Sequence, residues 1–123
     1  MLMVLTAACT NDEKRLENKW QLQQYQYSDG TTIRVDSVFY NFQKGSFSAI
    51  CLLPDDTYRT FFGNYSFKGT TLSIVLLVDA VADPYYERYI GWEQGKRTFT
   101  IEELSESTLL LTYTDIHYSF RSY

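Results

Sequence analysis

Apolar and polar residues alternate along most of this chain. Phe47, Ala49, Cys51 and Leu53 share one parity; Leu72, Ile74, Leu76 and Val78 form a second such row, and Ile116, Tyr118 and Phe120 a third. A period of two marks a strand with one buried face, because successive side chains of an extended chain point to opposite sides. Turn-forming clusters punctuate the rows: Asp29-Gly30, Lys44-Gly45, Pro54-Asp55-Asp56, Lys68-Gly69, Gly95-Lys96, Ser105-Glu106-Ser107 and Thr114-Asp115. The segments between them run to about ten residues, the rhythm of a sandwich or barrel.

Two segments change phase. Ile33, Val35 and Phe39 lie on one parity while Val38, Tyr40 and Phe42 lie on the other, and Tyr58 and Phe62 give way to Tyr65 and Phe67 across Gly63. A phase switch within one strand predicts a bulge or a sharp bend, which closing a small barrel requires. Helix is scarce: Asn11-Asp12-Glu13 start one short turn through Leu16. Residues 79–94, DAVADPYYERYIGWEQ, are interrupted by Pro84, and Tyr86, Arg88, Ile90 and Trp92 alternate after it, which predicts a loop and then a short strand. Eight or nine strands in about 100 residues, joined by successive hairpins, make an up-and-down meander the simplest topology. The expected fold is all-β: an eight-stranded up-and-down barrel with little helix, its interior either filled or holding one small ligand.

Composition agrees with strands. Apolar residues make up 45% of the 123, with 11 Tyr, 8 Phe and 2 Trp, and aromatic side chains suit pleated, half-buried surfaces. The net charge is −4 with no basic run, which argues against nucleic acid or an anionic membrane surface as the main target. No apolar stretch approaches the ~20 residues needed to span a bilayer.

Residues 1–9, MLMVLTAAC, resemble the end of a bacterial lipoprotein signal peptide: an apolar stretch, small residues, then Cys. Thr6 is a less common choice three residues before that Cys, and no basic residue precedes it; the competing reading is an apolar first strand that contains Cys. The expected organisation is a signal-peptide remnant over 1–8, a lipidated Cys9 with a polar tether over 9–16, and the barrel over 17–123. The membrane is then a partner through the lipid anchor at Cys9, and the location is the cell envelope, as an outer-membrane lipoprotein facing the periplasm or the surface.

Candidate chemistry is thin. Cys51 belongs to an inward row and reads as a buried thiol; a tethered Cys9 is a poor disulfide partner for it. His117, the only histidine, has the parity opposite to Ile116, Tyr118 and Phe120 and reads as solvent-facing. One His and one free Cys cannot supply a zinc set. Asp55-Asp56 and Glu102-Glu103 read as solvated surface, and strand neighbours such as Glu102 and Glu103 point apart. No phosphate loop or nucleophile motif is present, so neither a cofactor nor catalysis is expected. Asp36-Ser37-Val38 resembles a three-residue O-glycosylation signal of some Gram-negative envelopes.

Three stretches resemble the lipocalin-like lipoproteins of Gram-negative bacteria: residues 16–22, LENKWQL, similar to the opening Gly-x-Trp strand; residues 65–74, YSFKGTTLSI, similar to a central hairpin; and residues 99–111, FTIEELSESTLLL, similar to a late hairpin. Asn18 stands where lipocalins have Gly, and the chain has no room for a long helix after the last strand. The resemblance implies an eight-stranded barrel with a ligand lumen and no catalytic residues. It also implies that an Arg of the last strand covers the Trp of the first, here Arg121 over Trp20.

The expected function is therefore a non-catalytic binding barrel for a small apolar ligand, with a protein-interaction or inhibitor module of the envelope as the alternative. Contact with either partner is expected from residues 79–94, where Tyr85, Tyr86, Tyr89 and Trp92 concentrate, because irregular connections carry function and Tyr and Trp dominate binding hot spots. Alternation puts Tyr86 and Trp92 on one face and Tyr85 and Tyr89 on the other; the competing reading is that these rings close one end of the core. Mass spectrometry of the mature N-terminus in the native host is expected to find a lipidated Cys9, and an intact Met1 on the exported protein would refute it.

Overall fold

The alternating rows fold as antiparallel strands, each paired with its neighbour in sequence. A computed structural model describes residues 13–123; the expected signal segment and Cys9 lie outside them. The strands are β1 (Lys19–Gln26), β2 (Thr32–Arg34), β3 (Val38–Gln43), β4 (Ser46–Leu52), β5 (Tyr58–Lys68), β6 (Thr71–Leu76), β7 (Lys96–Leu104), β8 (Thr108–Tyr113) and β9 (Ile116–Ser122). β3 to β9 run as a meander, β1 pairs with β3 on one side, and β1 also pairs with β9, from Trp20 opposite Ser122 to Gln26 opposite His117. That last ladder closes an eight-stranded up-and-down barrel and leaves those strands without a free edge. β2 is an accessory strand that pairs only with the far half of β1, Gln24–Gln26.

The inward rows make one core. Trp20, Leu22, Phe42, Phe47, Ala49, Cys51, Phe61, Leu72, Ile74, Phe99, Leu109 and Leu111 have essentially no exposed surface. Across the β3–β4 pair the inward residues stand opposite one another: Val38 and Cys51, Tyr40 and Ala49, Phe42 and Phe47. The small Ala49 opposite Tyr40 leaves room for rings to interdigitate in a narrow interior. The lower end holds the Lys44-Gly45 turn, and a helical turn over residues 13–16 (α1) brings Leu16 beneath the barrel. The backbone carbonyl of Leu16 accepts a hydrogen bond from Trp20 Nε1 at 3.1 Å, which satisfies the donor of a fully buried indole.

Both expected phase switches have other causes. Residues 32–43 are two elements, β2 and β3, separated by a bend at 35–37, so each keeps its own parity. β5 runs unbroken in register with β4 and β6; Tyr58 and Phe62 belong to its outer row and are exposed. Outward aromatics imitated a bulge. The ladder does shift register, but between Leu22 and Gln24 on β1 and between Ile101 and Glu103 on β7.

The expected short strand in residues 79–94 does not form. After β6 the chain makes a turn of helix α2 (Val78–Val81), a second, α3 (Tyr86–Tyr89), and a 3-10 turn at Glu93–Gly95. Asp83 Oδ1 accepts the Tyr85 N–H at 2.8 Å, a local bond that competes with extended pairing. The expected stacking of Arg121 on Trp20 is also absent: Arg121 lies on the outer face and donates through Nε to Gln21 Oε1 at 2.8 Å, while Trp20 points inward. Arg121 is one residue from Phe120, and a shift of one residue along a strand changes the face.

Gly63 lets the backbone of β6 approach β5 closely. A Cβ there would lie 2.4 Å from the Val75 carbonyl oxygen and 2.9 Å from Leu76 Cα, both backbone atoms of β6. Gly63→Ala is therefore expected to cost about 1–3 kcal/mol, the range for overpacking. Chemical denaturation reads this as a lower midpoint with an unchanged slope.

Candidate binding site at the upper mouth of the barrel

The interior is lined and largely crossed by rings. Tyr40 of β3 meets Phe120 of β9 at 4.9 Å between centroids, and Phe99 of β7 meets Tyr118 of β9 at 5.1 Å. Trp92 enters from the connection between β6 and β7 and lies about 6 Å from each of Tyr40, Phe47 and Phe99. Such edge-on and tilted pairs are favourable beyond the area they bury. They fill the middle of the barrel with the chain's own side chains.

The four residues expected to make contact are divided by this arrangement. Trp92 and Tyr86 are buried; the Tyr86 hydroxyl donates to the Trp92 carbonyl, and its ring lies 6.3 Å from Phe61. Tyr85 and Tyr89, one helical turn apart on α3, stay outside or half-buried, with their rings 6.3 Å apart. Arg59 lies over the Tyr85 ring at 4.6 Å and pairs with Asp83 at 3.1 Å, a contact not aligned as a hydrogen bond. Arg88 lies over the Tyr89 ring at 5.5 Å. His117 is exposed beside Thr112, and Ser37 is half-buried at the bend before β3.

A different group gathers at the upper end, where β1, β4, β6 and β8 finish and β7 and β9 begin. Arg97 has the same parity on β7 as the buried Phe99 and Ile101, so its side chain starts from the inner wall. Its guanidinium lies 3.8 Å from the centroid of the Tyr113 ring and 5.6 Å from that of Trp92. Nη1 donates to the Tyr118 hydroxyl at 2.8 Å, and Nε is buried without a partner. Among the described residues no carboxylate lies within ion-pair distance of Arg97. Tyr25 packs edge-on against Tyr118 at 4.8 Å, and Tyr25 and Tyr113 are both half-buried. Cys51 completes the group as a buried free thiol.

Burial dominates the protonation of these groups, because a charged form is costly away from water. It holds the phenols of Tyr25, Tyr40 and Tyr118 above their ordinary value; nearby phenols add to this, and Arg97 opposes it, at all three. Burial also pushes the Cys51 thiol up to about 12. At neutral pH the cluster is therefore one cation among neutral hydrogen-bonding groups. No group of three or more metal-ligating side chains occurs among the described residues. Arg97 was legible only through its parity with Phe99 and Ile101; after the Gly95-Lys96 turn signal it looks like one more surface charge.

Comparison with known proteins places this geometry. A family model described as a lipocalin-like domain matches residues 2–123. A lipocalin-like protein from Bacteroides uniformis is 59% identical, with a TM-score of 0.86, over 89% of this chain and 99% of that one. An uncharacterized protein from Bacteroides eggerthii is 40% identical, with a TM-score of 0.79, over 86% of this chain and 98% of that one. A protein from Burkholderia xenovorans, 14% identical with a TM-score of 0.58 over 92% of this chain and 87% of that one, shares the fold alone. No protein of curated function matches.

The raised values set an alkaline limit on stability. A thiol or phenol held protonated only in the folded state leaves stability unchanged below its unfolded value, then lowers it as pH rises, because the unfolded chain loses its protons first. Stability is expected to be flat to about pH 8.5, where unfolded Cys begins to ionise, and to fall more steeply above about pH 10 as unfolded Tyr follows. Phenolate absorbance should rise in two steps, the later one coincident with loss of circular dichroism, and a thiol reagent at pH 8 should reach Cys51 only on unfolding.

Proposed function

This chain belongs to the lipocalin-like domain family, and from that premise we propose that it is a non-catalytic binding module of the cell envelope, tethered by a lipid on Cys9, whose upper mouth receives a small ligand with an apolar body. The observation that carries this is the half-buried tyrosine rim, Tyr25 and Tyr113, set on the strands of a rigid barrel. Tyrosine offers a broad ring face and a hydroxyl at low entropic cost, which suits recognition of small molecules. Since rings occupy the middle of the barrel, the ligand sits shallowly against the rim rather than threading the lumen. Tyr85 and Tyr89 add ring surface on the connection at the same end.

A second reading has its own support. Tyr58, Phe62, Val75, Leu77 and Val78 are all exposed around the outer faces of β5 and β6, and a shallow depression of about 270 Å³ lies between Phe62, Leu77 and Ala80. An exposed apolar strip of this kind suits a protein partner in the envelope.

One titration separates the two. N-phenyl-1-naphthylamine, a neutral apolar fluorophore, is expected to give a saturable fluorescence rise with the folded protein. Its amide shift changes should centre on Tyr25, Tyr113 and Tyr118, and Tyr113→Ala should weaken binding several-fold. Shift changes confined to β5 and β6 would favour the protein-partner reading, and no saturable rise would refute a small-ligand site.

A further inference from the structure

We propose that Arg97 is an anion receptor at the upper mouth, so that the ligand class is a small anionic amphiphile: an oxyanion head, carboxylate or sulfonate, on the guanidinium, and a ring or short chain on the tyrosine rim. This deepens the binding reading above and rests on it. An arginine on the inner wall of a small barrel has to meet its charge somewhere. Here the protein meets it incompletely. Two ring faces, Tyr113 and Trp92, lie against the guanidinium, and one neutral phenol, Tyr118, accepts a single hydrogen bond. Nε has no acceptor, and no other hydrogen bond from Arg97 forms among the described residues.

The contrast with the other arginines is informative. Arg59 pairs with Asp83, and Arg121 donates to Gln21 on the outer face. Arg59 also has the inward parity of its strand, opposite Cys51, but its charge is met by Asp83; Arg97 starts from the inner wall with no acid beside it among the described residues. Its neighbours Tyr25, Tyr40 and Tyr118 all stay protonated at neutral pH, so none of them supplies the counter-charge.

The rings also fix the fork. Stacking on Tyr113 holds the guanidinium plane, and the bond from Nη1 to Tyr118 fixes its rotation, so two oxygens of a carboxylate or sulfonate meet a donor edge already oriented for them. The phenols of the rim are neutral donors able to share the same head group.

The test compares two fluorophores that differ in a single group. 1-Anilinonaphthalene-8-sulfonate carries a sulfonate that N-phenyl-1-naphthylamine lacks. The wild-type chain is expected to bind the sulfonate roughly tenfold more tightly than the neutral amine, the scale of one or two charge-assisted hydrogen bonds. In Arg97→Gln this preference should collapse to near unity, and in Arg97→Lys it should survive in part, because the charge remains and the fork is lost. Circular dichroism confirms that each variant is folded, and the wild-type ratio stands without any variant. Equal affinity for the two probes in the wild type, or a preference that survives Arg97→Gln, overturns the anion site while leaving the binding module intact. If neither probe binds, the binding module falls as well.

Discussion

Closure of β1 onto β9 is the contact on which the rest of this molecule depends. Without it the strands would form an open, twisted sheet with two edges and one exposed apolar face; with it, every inward row faces a shared interior. Closure also sets how much space there is. Eight strands enclose a lumen about as wide as opposed side chains, so the identity of those side chains decides between a packed core and a cavity. This chain fills the middle with Tyr40, Trp92, Phe99 and Phe120, and sets the inward-facing Arg97 at the upper end.

The two ends of the barrel then take different characters from the same material. Below, α1 places Leu16 under the strands and satisfies the Trp20 donor, so that end is closed by apolar packing with the Tyr65 hydroxyl as its one buried polar atom without a partner among the described residues. Above, a long connection sends Trp92 inward and keeps Tyr85 and Tyr89 outside. What remains at that mouth is a cation held by ring faces and one phenol. An incompletely satisfied charge in a rigid, half-dry setting is the kind of feature that binding sites exploit, because its hydrogen bonds are strengthened there and its orientation needs no further ordering.

Much of the fold was legible from a short list of residues. The rows Phe47-Ala49-Cys51, Leu72-Ile74-Leu76 and Tyr118-Phe120 face inward as their parity requires, and the turn clusters mark the hairpins, but Val78, read with the second row, opens α2 and is exposed. Cys51 is buried and His117 exposed for the same reason. Parity misled wherever an apolar ring faces outward, as at Tyr58 and Phe62, because hydrophobicity says nothing about which side of a strand is the core. It misled again across residues 86–92, where alternation of aromatic and charged residues imitated a strand although Pro84 and the Asp83 side-chain bond start a helical turn.

The sequence by itself determined the period-two pattern, the hairpin rhythm and hence an eight-stranded meander, since these follow from local geometry that every ten-residue segment carries within it. The processing signal read before Cys9 lies outside the described residues and stays part of the proposal. Only the tertiary structure decided that Arg97 faces a tyrosine cluster without a counter-charge, that Arg121 turns away from Trp20, and that Trp92 reaches the centre of the lumen. Those outcomes depend on register between β1 and β9, on the shifts at Leu22/Gln24 and Ile101/Glu103, and on the path of a connection that leaves the sheet. Each brings together residues distant in sequence, and a one-residue difference in alignment would have sent the same side chains to the opposite face.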